Sequence, residues 1–433
     1  MLIKDIGEQG LLKILQKFCP AEIVGDDCAV MATNPNQSLA ITTDMLVDGV
    51  HFSDQTTGPY YAGWRAAAAN LSDLAAMGAT PRAVTVALAV APDTAVEWVE
   101  EFYRGMTACL QEYHTPIVGG DVVRSPVVTV AITAFGQVEF DRTIRRSNAR
   151  SNWAIVATGV HGASRAGLEL LLNPEFGQNL TEVDRASLIL AHQRPKPRLD
   201  VLPVVWEILG SEGAMDPPLS PPLAKGGKQD FNSPGAIEPP LSPPLASGRK
   251  QDFNSPGAME PPLSPPLSKG GKQDFNSPLS KGGPGGVNSP PLSKEGPGEV
   301  NSPPLSKGGA GGVQSPIAIA GMDSSDGLAD AIIQICRASG VGAKVDRAKI
   351  PIPHIFSEIV STEKALNWAL YGGEDFELVL FLPMATAQLL VEQIGDGAAI
   401  VGIATDSTDI WLTDSSGIYP DAILKLDRGF QHF

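Results

Sequence analysis

Carboxylate side chains recur in this sequence where apolar stretches end, and their types and spacing could do chemistry. The acidic motifs share flanking glycines or small residues and are VGDDCAV (Asp26, Asp27), ITTD (Asp44), IVGGD (Asp121), MDSSDGL (Asp323, Asp326) and YGGEDFEL (Glu374, Asp375). Several carboxylates that meet without cations repel one another. Oxygen-only clusters without His or Cys suit Mg²⁺, a hard ion that keeps waters and is completed by substrate phosphates. The set therefore predicts a magnesium site.

Each of these acidic residues, taken alone, also has a purely structural explanation. Asp in GDD or SDG favours a turn or a helix N-cap, and Asp326 could simply cap a helix that begins at Gly327. The glycine pairs at 119–120 and 372–373 point the other way, because they would let backbone amides approach phosphate oxygens. Taken together, the five acidic motifs favour a site that binds metal and phosphate over five independent turns or helix N-caps.

One further carboxylate, Asp73, lies inside a predicted helix rather than at the end of a strand. Asn70, Asp73 and Met77 fall on one face of that helix, which is otherwise built from alanine. A charge packed tightly among small side chains costs several kcal/mol unless it is compensated. We therefore include Asp73 in the predicted site.

The common signatures of other catalytic classes are missing from the sequence. It contains no GxxxxGK[ST] P-loop, no protein-kinase motif set, no HExxH, no CxxC and no GxSxG. If the protein handles ATP, it does so through an acidic, magnesium-rich site of another kind. His51 is the one histidine inside a motif, and a lone histidine after a strand more often serves packing than catalysis.

The elements that must position these residues follow an α/β pattern. Strands are predicted at 38–43, 83–90, 127–135, 153–158, 317–322 and 377–382. Helices are predicted from Glu8 to Phe18 and at 60–78, 94–113, 164–172, 182–192, 327–338 and 385–394, with another ending near Leu209. A boundary near residue 150 separates two such sets.

Composition limits the function classes that remain. The 433 residues carry a formal charge of −16, which argues against broad binding to nucleic acid or to anionic membranes. No apolar run approaches the roughly 18–20 residues of a membrane span, so no membrane partner is expected. The four cysteines are far apart, which favours reduced thiols in a cytoplasmic protein over disulfides or a zinc site.

Residues 217–316 form a tract of low sequence complexity. PPLSPPL recurs from Pro217, Pro239 and Pro261, and proline pairs break every candidate helix or strand. The tract is too poor in apolar side chains for a core of its own, which favours a disordered, partly polyproline-II insert. The alternative is a proline-rich ligand for a partner domain.

The motifs together resemble one family, the thiamine-monophosphate kinases. The resemblance rests on GDDCAV (25–30), TTDMLVDGVHF (42–52), NLSDLAAMGATP (70–81), VGGDVVRSP (118–126), MDSSDGL (322–328) and GGEDFEL (372–378). It covers 1–216 and 317–433, in the order and at the spacing of that family. The related aminoimidazole ribonucleotide synthetases and selenophosphate synthetases share the fold and the Asp-rich ATP site but use other acceptors.

The resemblance implies transfer of the γ-phosphoryl group of ATP to thiamine monophosphate, giving thiamine diphosphate. It implies magnesium ligands at Asp27, Thr42, Thr43, Asp44, Asp73, Asp121, Asp323 and Asp326, with catalytic roles for Asp44, Asp121 and Asp326. ATP contacts would come from Tyr113, Gly120, Asp121, Arg146 and Ser325. Thiamine monophosphate would meet His51, Glu374 and Phe430. One departure concerns Arg146, which is followed by SNARSNW where the family usually has a GA-x-PGD turn.

The fold implied is two α/β domains of the AIR synthetase-like type, with the N-terminal sheets pairing in a homodimer. Residues 1–150 would form the ATP- and magnesium-binding domain and carry the dimer contact. Residues 151–216 and 317–433 would form the second domain, interrupted by the disordered insert 217–316.

The chemistry expected is direct transfer without a phosphoenzyme, because the acceptor is already a phosphate and needs no strong general base. An anionic Glu374 would be attracted to the cationic thiazolium ring. Two other classes stay open at this point. One is a synthetase of the same fold with another small acceptor, and the other is a non-enzymatic scaffold that works through the proline-rich tract.

Overall fold

The computed structural model describes residues 1–20, 31–209, 318–395 and 397–426. The predictions for Asp26, Asp27, Phe430 and the tract 217–316 lie outside the described residues. The described residues on both sides of 210–317 belong to one compact unit.

The first sheet has four strands in the order β1-β4-β2-β3. Its strands are β1 (Gln37–Val47), β2 (Thr80–Val90), β3 (Ile117–Arg124) and β4 (Thr129–Glu139). β4 pairs antiparallel with β1 and β2, whereas β2 and β3 are parallel. Alternate residues of β1 face opposite sides, so Leu39, Ile41 and Met45 are exposed while Leu46 is buried.

Three helices accompany this sheet: α1 (Ile3–Leu15), α2 (Pro59–Ala76) and α3 (Val96–Glu112). Glycine lets α2 and α3 approach closely. A Cβ atom on Gly63 would lie 1.9 Å from the Phe102 carbonyl oxygen, and one on Gly105 would lie 1.7 Å from the Tyr60 carbonyl oxygen. Any larger residue at either position would force the two helices apart.

The second sheet has seven strands in the order β11-β10-β7-β9-β5-β8-β6. They are β5 (Ala154–Ala157), β6 (Ala320–Asp323), β7 (Gly342–Asp346), β8 (Leu378–Leu382), β9 (Ala399–Thr405), β10 (Ile410–Thr413) and β11 (Ala422–Ile423). Every residue of β5, β6 and β8 is buried, which explains the continuous apolar sequences of β5 and β8, whereas β6 ends on the buried Asp323.

The helices of this half pack around the second sheet and supply its remaining core. They are α4 (Ala163–Leu172), α5 (Glu182–Gln193), α6 (Val201–Leu209), α7 (Leu328–Ser339), α8 (Phe356–Ile359), α9 (Thr362–Tyr371) and α10 (Met384–Ile394). α2 reaches across to this half: Ala75 and Ala76 share a core cluster with Val156 and Leu378. One helix thus contacts both sheets.

The structure confirms the α/β class and finds each predicted strand and helix among the described residues. Gly7, with a φ of 64°, interrupts α1, so the uninterrupted helix begins at Glu8 as predicted. The division into domains near residue 150 stays a prediction, although the first sheet ends at Glu139 and the second begins at Ala154. None of the described helices is long and apolar enough to cross a membrane.

Two acidic residues do not end strands as the sequence suggested. Asp44 lies inside β1, because antiparallel pairing with β4 continues through Val47. Asp121 lies inside β3, paired with β2 through Arg124. Both strands continue beyond their carboxylates because the ladder hydrogen bonds depend on the backbone and tolerate a polar side chain on an open face.

Candidate active site

A cavity of about 770 Å³ brings much of the predicted site together. The predicted residues that line it are Asp44, His51, Asp73, Asp323, Ser325, Asp326 and Glu374. They come from β1 and the loop after it, α2, the end of β6 and the turn that follows, and the segment before β8, so strands from both sheets contribute. The cavity therefore joins a carboxylate-rich end to the segment that carries Glu374.

At the carboxylate-rich end of the cavity, formed by Asp44, Asp73, Asp323 and Asp326, neighbouring carboxylates raise one another's pKa. Burial, together with the neighbouring carboxylates of Asp73, Asp323 and Asp326, raises the pKa of Asp44 to about 7. Burial and the charge of Asp73 raise the pKa of Asp323 to about 6, against hydrogen bonds from Ser72 and Ser325 that lower it. A bound cation would relieve this repulsion.

Hydrogen bonds between β1 and α2 fix the first pair of carboxylates. The Thr42 hydroxyl donates to the Asp73 carboxylate, and the backbone N–H of Asp44 donates to Asn70 Oδ1 at 3.2 Å. Asn70 is itself held by its Nδ2, which donates to the Ala66 carbonyl at 3.0 Å. The one-turn spacing of residues 70 and 73 on α2 thus places an amide and a carboxylate against β1.

The turn between β6 and α7 supplies the second pair. Asp323 is the last residue of β6, and its two oxygens accept hydrogen bonds from Ser72 (2.7 Å) and Ser325 (3.1 Å). α7 is capped by Gly327, with a φ of 109°, and no side chain bonds to its first turn. The alternative that Asp326 serves only as a helix cap is therefore wrong.

The segment from Gly373 to Phe376 has an unusual backbone. Glu374 and Phe376 have φ values of 60° and 53°, and non-glycine residues in this left-handed region are uncommon. The Asp375 carboxylate holds the segment by accepting hydrogen bonds from the N–H groups of Gly162 (2.7 Å) and Ser164 (2.9 Å) at the start of α4. Strain of this kind persists only where the surroundings determine the conformation.

Sequence reasoning missed several residues of the cavity, above all Arg65. Its guanidinium forms an ion pair with Glu374 and lies against His192. Burial, followed by the charge of Arg65, lowers the pKa of His192 to about 2, so this imidazole is neutral. A lone arginine among the alanines of α2 was the available signal for Arg65, the same signal that identified Asp73.

Other predicted residues do not line this cavity. The Thr43 side chain lies on the opposite face of β1 from Asp44 and hydrogen-bonds to Thr133 at 2.9 Å. Tyr113 ends α3 and donates to the Pro197 carbonyl at 3.2 Å. Arg146 donates to Gln334 at 2.6 Å.

Among the residues that the structure describes, the last two predicted ones lie in the edge strand β3. A Cβ atom on Gly120 would lie 2.0 Å from the Val86 carbonyl oxygen, so close strand packing already requires this glycine. Asp121 is exposed, and its Oδ1 accepts only the neighbouring Val122 N–H among described groups. Within the residues the structure describes, no group of three or more His, Cys, Asp or Glu side chains is arranged to hold a metal ion by itself.

The chain is similar to known proteins in both sequence and fold. Residues 25–138 match the family model "AIR synthase related protein, N-terminal domain". A thiamine-monophosphate kinase from Synechococcus elongatus is 38% identical over 431 residues, covering 100% of this chain and 98% of the relative. Among solved structures, a thiamine-monophosphate kinase from Stenotrophomonas maltophilia K279a has a TM-score of 0.59 at 23% identity, covering 89% of each chain.

A second solved structure, AaThiL complexed with AMPPCP and TMP, has a TM-score of 0.55 at 21% identity and covers 98% of each chain. The two solved structures show that the fold is shared, and the full-length identity to the Synechococcus protein shows the family. By its sequence identity along its whole length, the chain belongs to the thiamine-monophosphate kinase family.

Proposed function

We propose that this chain transfers the γ-phosphoryl group of ATP to thiamine monophosphate, giving thiamine diphosphate. The observation that carries the proposal is the cavity, which joins four aspartates to the Arg65–Glu374 pair in a chain of this family. Supporting it, the similar AaThiL structure holds AMPPCP and TMP.

Magnesium is the cation we propose for the carboxylate-rich end. The donors there are carboxylate and hydroxyl oxygens, the ligands Mg²⁺ prefers, and the raised pKa values of Asp44 and Asp323 reflect charge that a cation would offset. We propose Asp44, Asp73, Asp323 and Asp326 as ligands, with Thr42 orienting Asp73. Asp27, Thr43 and Asp121 stay proposed ligands on the resemblance alone. Bound Mg²⁺ would supply positive charge against the phosphates during transfer.

The protein's own contribution to transfer is positioning. The acceptor is a phosphate that is largely dianionic near pH 7, so no side chain needs to remove a proton and direct transfer follows. Asp44 and Asp326 act by placing charge, and Ser325 by offering a hydroxyl beside Asp323. His51 and Glu374 line the same cavity, which supports their proposed contact with thiamine monophosphate.

Several finer proposals rest on the resemblance rather than on the cavity. Tyr113, Gly120, Asp121 and Arg146 are proposed to contact ATP, and Phe430 to contact the acceptor. We also propose the two-domain division near residue 150. The free thiols of Cys19, Cys109 and Cys336 support a cytoplasmic location.

A homodimer is proposed through the outer face of the first sheet. The side chains that support it are large, apolar and exposed, and they are Leu39, Ile41, Met45 and Val123. Contiguous apolar surface on a sheet face typically marks an interaction site.

A coupled assay of ADP release tests the activity. ATP and Mg²⁺ are supplied with thiamine monophosphate, with an aminoimidazole precursor or with selenide as acceptor, and only thiamine monophosphate should support turnover. Asp44→Asn should reduce turnover by more than about tenfold, whereas Asp406→Asn, at an exposed aspartate between β9 and β10, should not. Turnover with another acceptor alone would refute the proposal.

A further inference from the structure

The guanidinium of Arg65 is a buried charge with one acidic partner. Its side chain is 4% exposed, and Nη2 donates to the Glu374 carboxylate, whose side chain is 36% exposed. Among the described residues, Glu374 is the one carboxylate within ion-pair distance of Arg65. The buried charge therefore depends on a partner that faces the cavity.

The other groups around Arg65 supply no negative charge. Nη1 donates to the His192 carbonyl at 3.1 Å and lies 2.9 and 3.0 Å from the nitrogens of the neutral His192 ring. Nε is buried and has no hydrogen-bond partner. Arg65 lines the cavity and has one carboxylate partner among the described residues, so an anionic ligand in the cavity would balance its charge.

The backbone at Glu374 is held by hydrogen bonds, so only the side chain of Glu374 can change its partner. The Glu374 N–H donates to the Ser325 carbonyl at 2.7 Å, which ties this segment to the carboxylate-rich end. The adjacent Asp375 is anchored to α4 by two hydrogen bonds. A ligand cation that engages Glu374 must therefore compete with Arg65 for a carboxylate whose backbone stays in place.

A buried cation that loses its counter-ion is strongly destabilised. A ligand that carries only a positive charge draws Glu374 away and leaves Arg65 uncompensated. A ligand that also carries an anion can replace the lost partner. The Arg65–Glu374 pair thus favours ligands with both charges over ligands with either one alone.

We propose that Arg65 is a specificity-determining residue that makes recognition of the cationic ring depend on the presence of an anionic phosphate on the same ligand. The inference rests on the proposed function, since thiamine monophosphate carries both groups and thiamine carries only the cation. Arg65 thereby selects thiamine monophosphate over thiamine.

The wild-type protein provides the first test, with EDTA present so that phosphate cannot bind through a metal. Thiamine is titrated calorimetrically with and without saturating inorganic phosphate, and chloride at matched ionic strength serves as control. Phosphate should tighten thiamine binding by at least about tenfold, and thiamine should tighten phosphate binding by the same factor. Thiamine affinity that does not change with phosphate would overturn the inference.

A pair of variants provides the second test. Arg65→Gln should lower the ratio of thiamine monophosphate to thiamine affinity by at least about tenfold. The matched control is Arg104→Gln, at an exposed arginine of α3 that does not line the cavity and pairs with Glu101 on its own helix; its ratio should stay that of the parent. An unchanged ratio in Arg65→Gln, or an equal fall in both variants, would contradict the assignment.

Different results would refute the proposed function and the role of Arg65. If the wild-type protein neither binds nor phosphorylates thiamine monophosphate, the proposed function fails. If it phosphorylates thiamine monophosphate and phosphate does not affect thiamine binding, only the role of Arg65 fails. Should Arg65→Gln not fold, the wild-type titration decides the matter.

Discussion

Magnesium binding to the metal-free protein should weaken strongly as pH falls from 8 to 5.5. The reason lies in Asp44 and Asp323, whose pKa values are raised to about 7 and about 6 in the folded protein. Metal ligands must be deprotonated, so protons and Mg²⁺ compete for these two carboxylates. An aspartate with an ordinary pKa would remain ionised across the whole range.

The size of the effect follows from the two pKa values. At pH 8 both carboxyls are almost completely ionised, whereas at pH 5.5 the proton competition weakens binding about 30-fold at Asp44 and about fourfold at Asp323. Taken as independent sites, they give about 100-fold in total, or about 2.7 kcal/mol. Asp44→Asn should remove the larger part of this dependence and leave about fourfold.

Isothermal calorimetry with Mg²⁺ alone, at constant ionic strength, measures the dissociation constant at both pH values. The parent, Asp44→Asn and the control Asp406→Asn are compared, and the control should behave as the parent. Dissociation constants that agree within about threefold between pH 5.5 and 8 in the parent would show that these carboxylates are not the magnesium ligands.

Three further predictions concern the scaffold. The pKa of Asp375 is raised by burial to about 7, so its stabilising contribution is complete below pH 4 and is lost as pH rises through 7. Urea unfolding should show a smaller loss of stability over this range in Asp375→Asn than in the parent, because Asp44 and Asp323, whose pKa values are also raised, still contribute in the variant. Gly105→Ala should destabilise by more than about 2 kcal/mol because its Cβ would meet the Tyr60 carbonyl, whereas Gly58→Ala, with open space around it, should cost much less. Deleting 217–316 should leave turnover unchanged, and a loss of activity would show that the tract is a working part.

Local periodicity explains why part of the site could be predicted from the sequence. A helix repeats every 3.6 residues, so Asn70 and Asp73 had to share a face of α2 wherever that helix packed. The structure places that face against β1, where Asn70 contacts the Asp44 N–H. The strand position of Asp44 was wrong because TTD is polar on successive residues, and a polar run inside a strand has the same local signature as the end of one.

Contacts between distant parts of the chain could not be predicted in this way. His192 reaches Arg65 across 127 residues and Arg65 reaches Glu374 across 309, and no local pattern encodes either meeting. Nor does local propensity favour the left-handed backbone at Glu374, which depends on the hydrogen bonds that Asp375 makes with α4. These features arise only when both halves of the fold have assembled around the cavity.

Glu374 shows what this difference means for function. From its charge alone, it was expected to attract a cationic ring, with affinity coming from Coulomb attraction at low dielectric. In the structure that charge is already paired with a buried guanidinium, so a cation gains only the difference between two ion pairs. Affinity must then come from a ligand that restores the balance at Arg65 as well. Selectivity for a phosphorylated cation is thus a property of the pair, and neither residue would provide it alone.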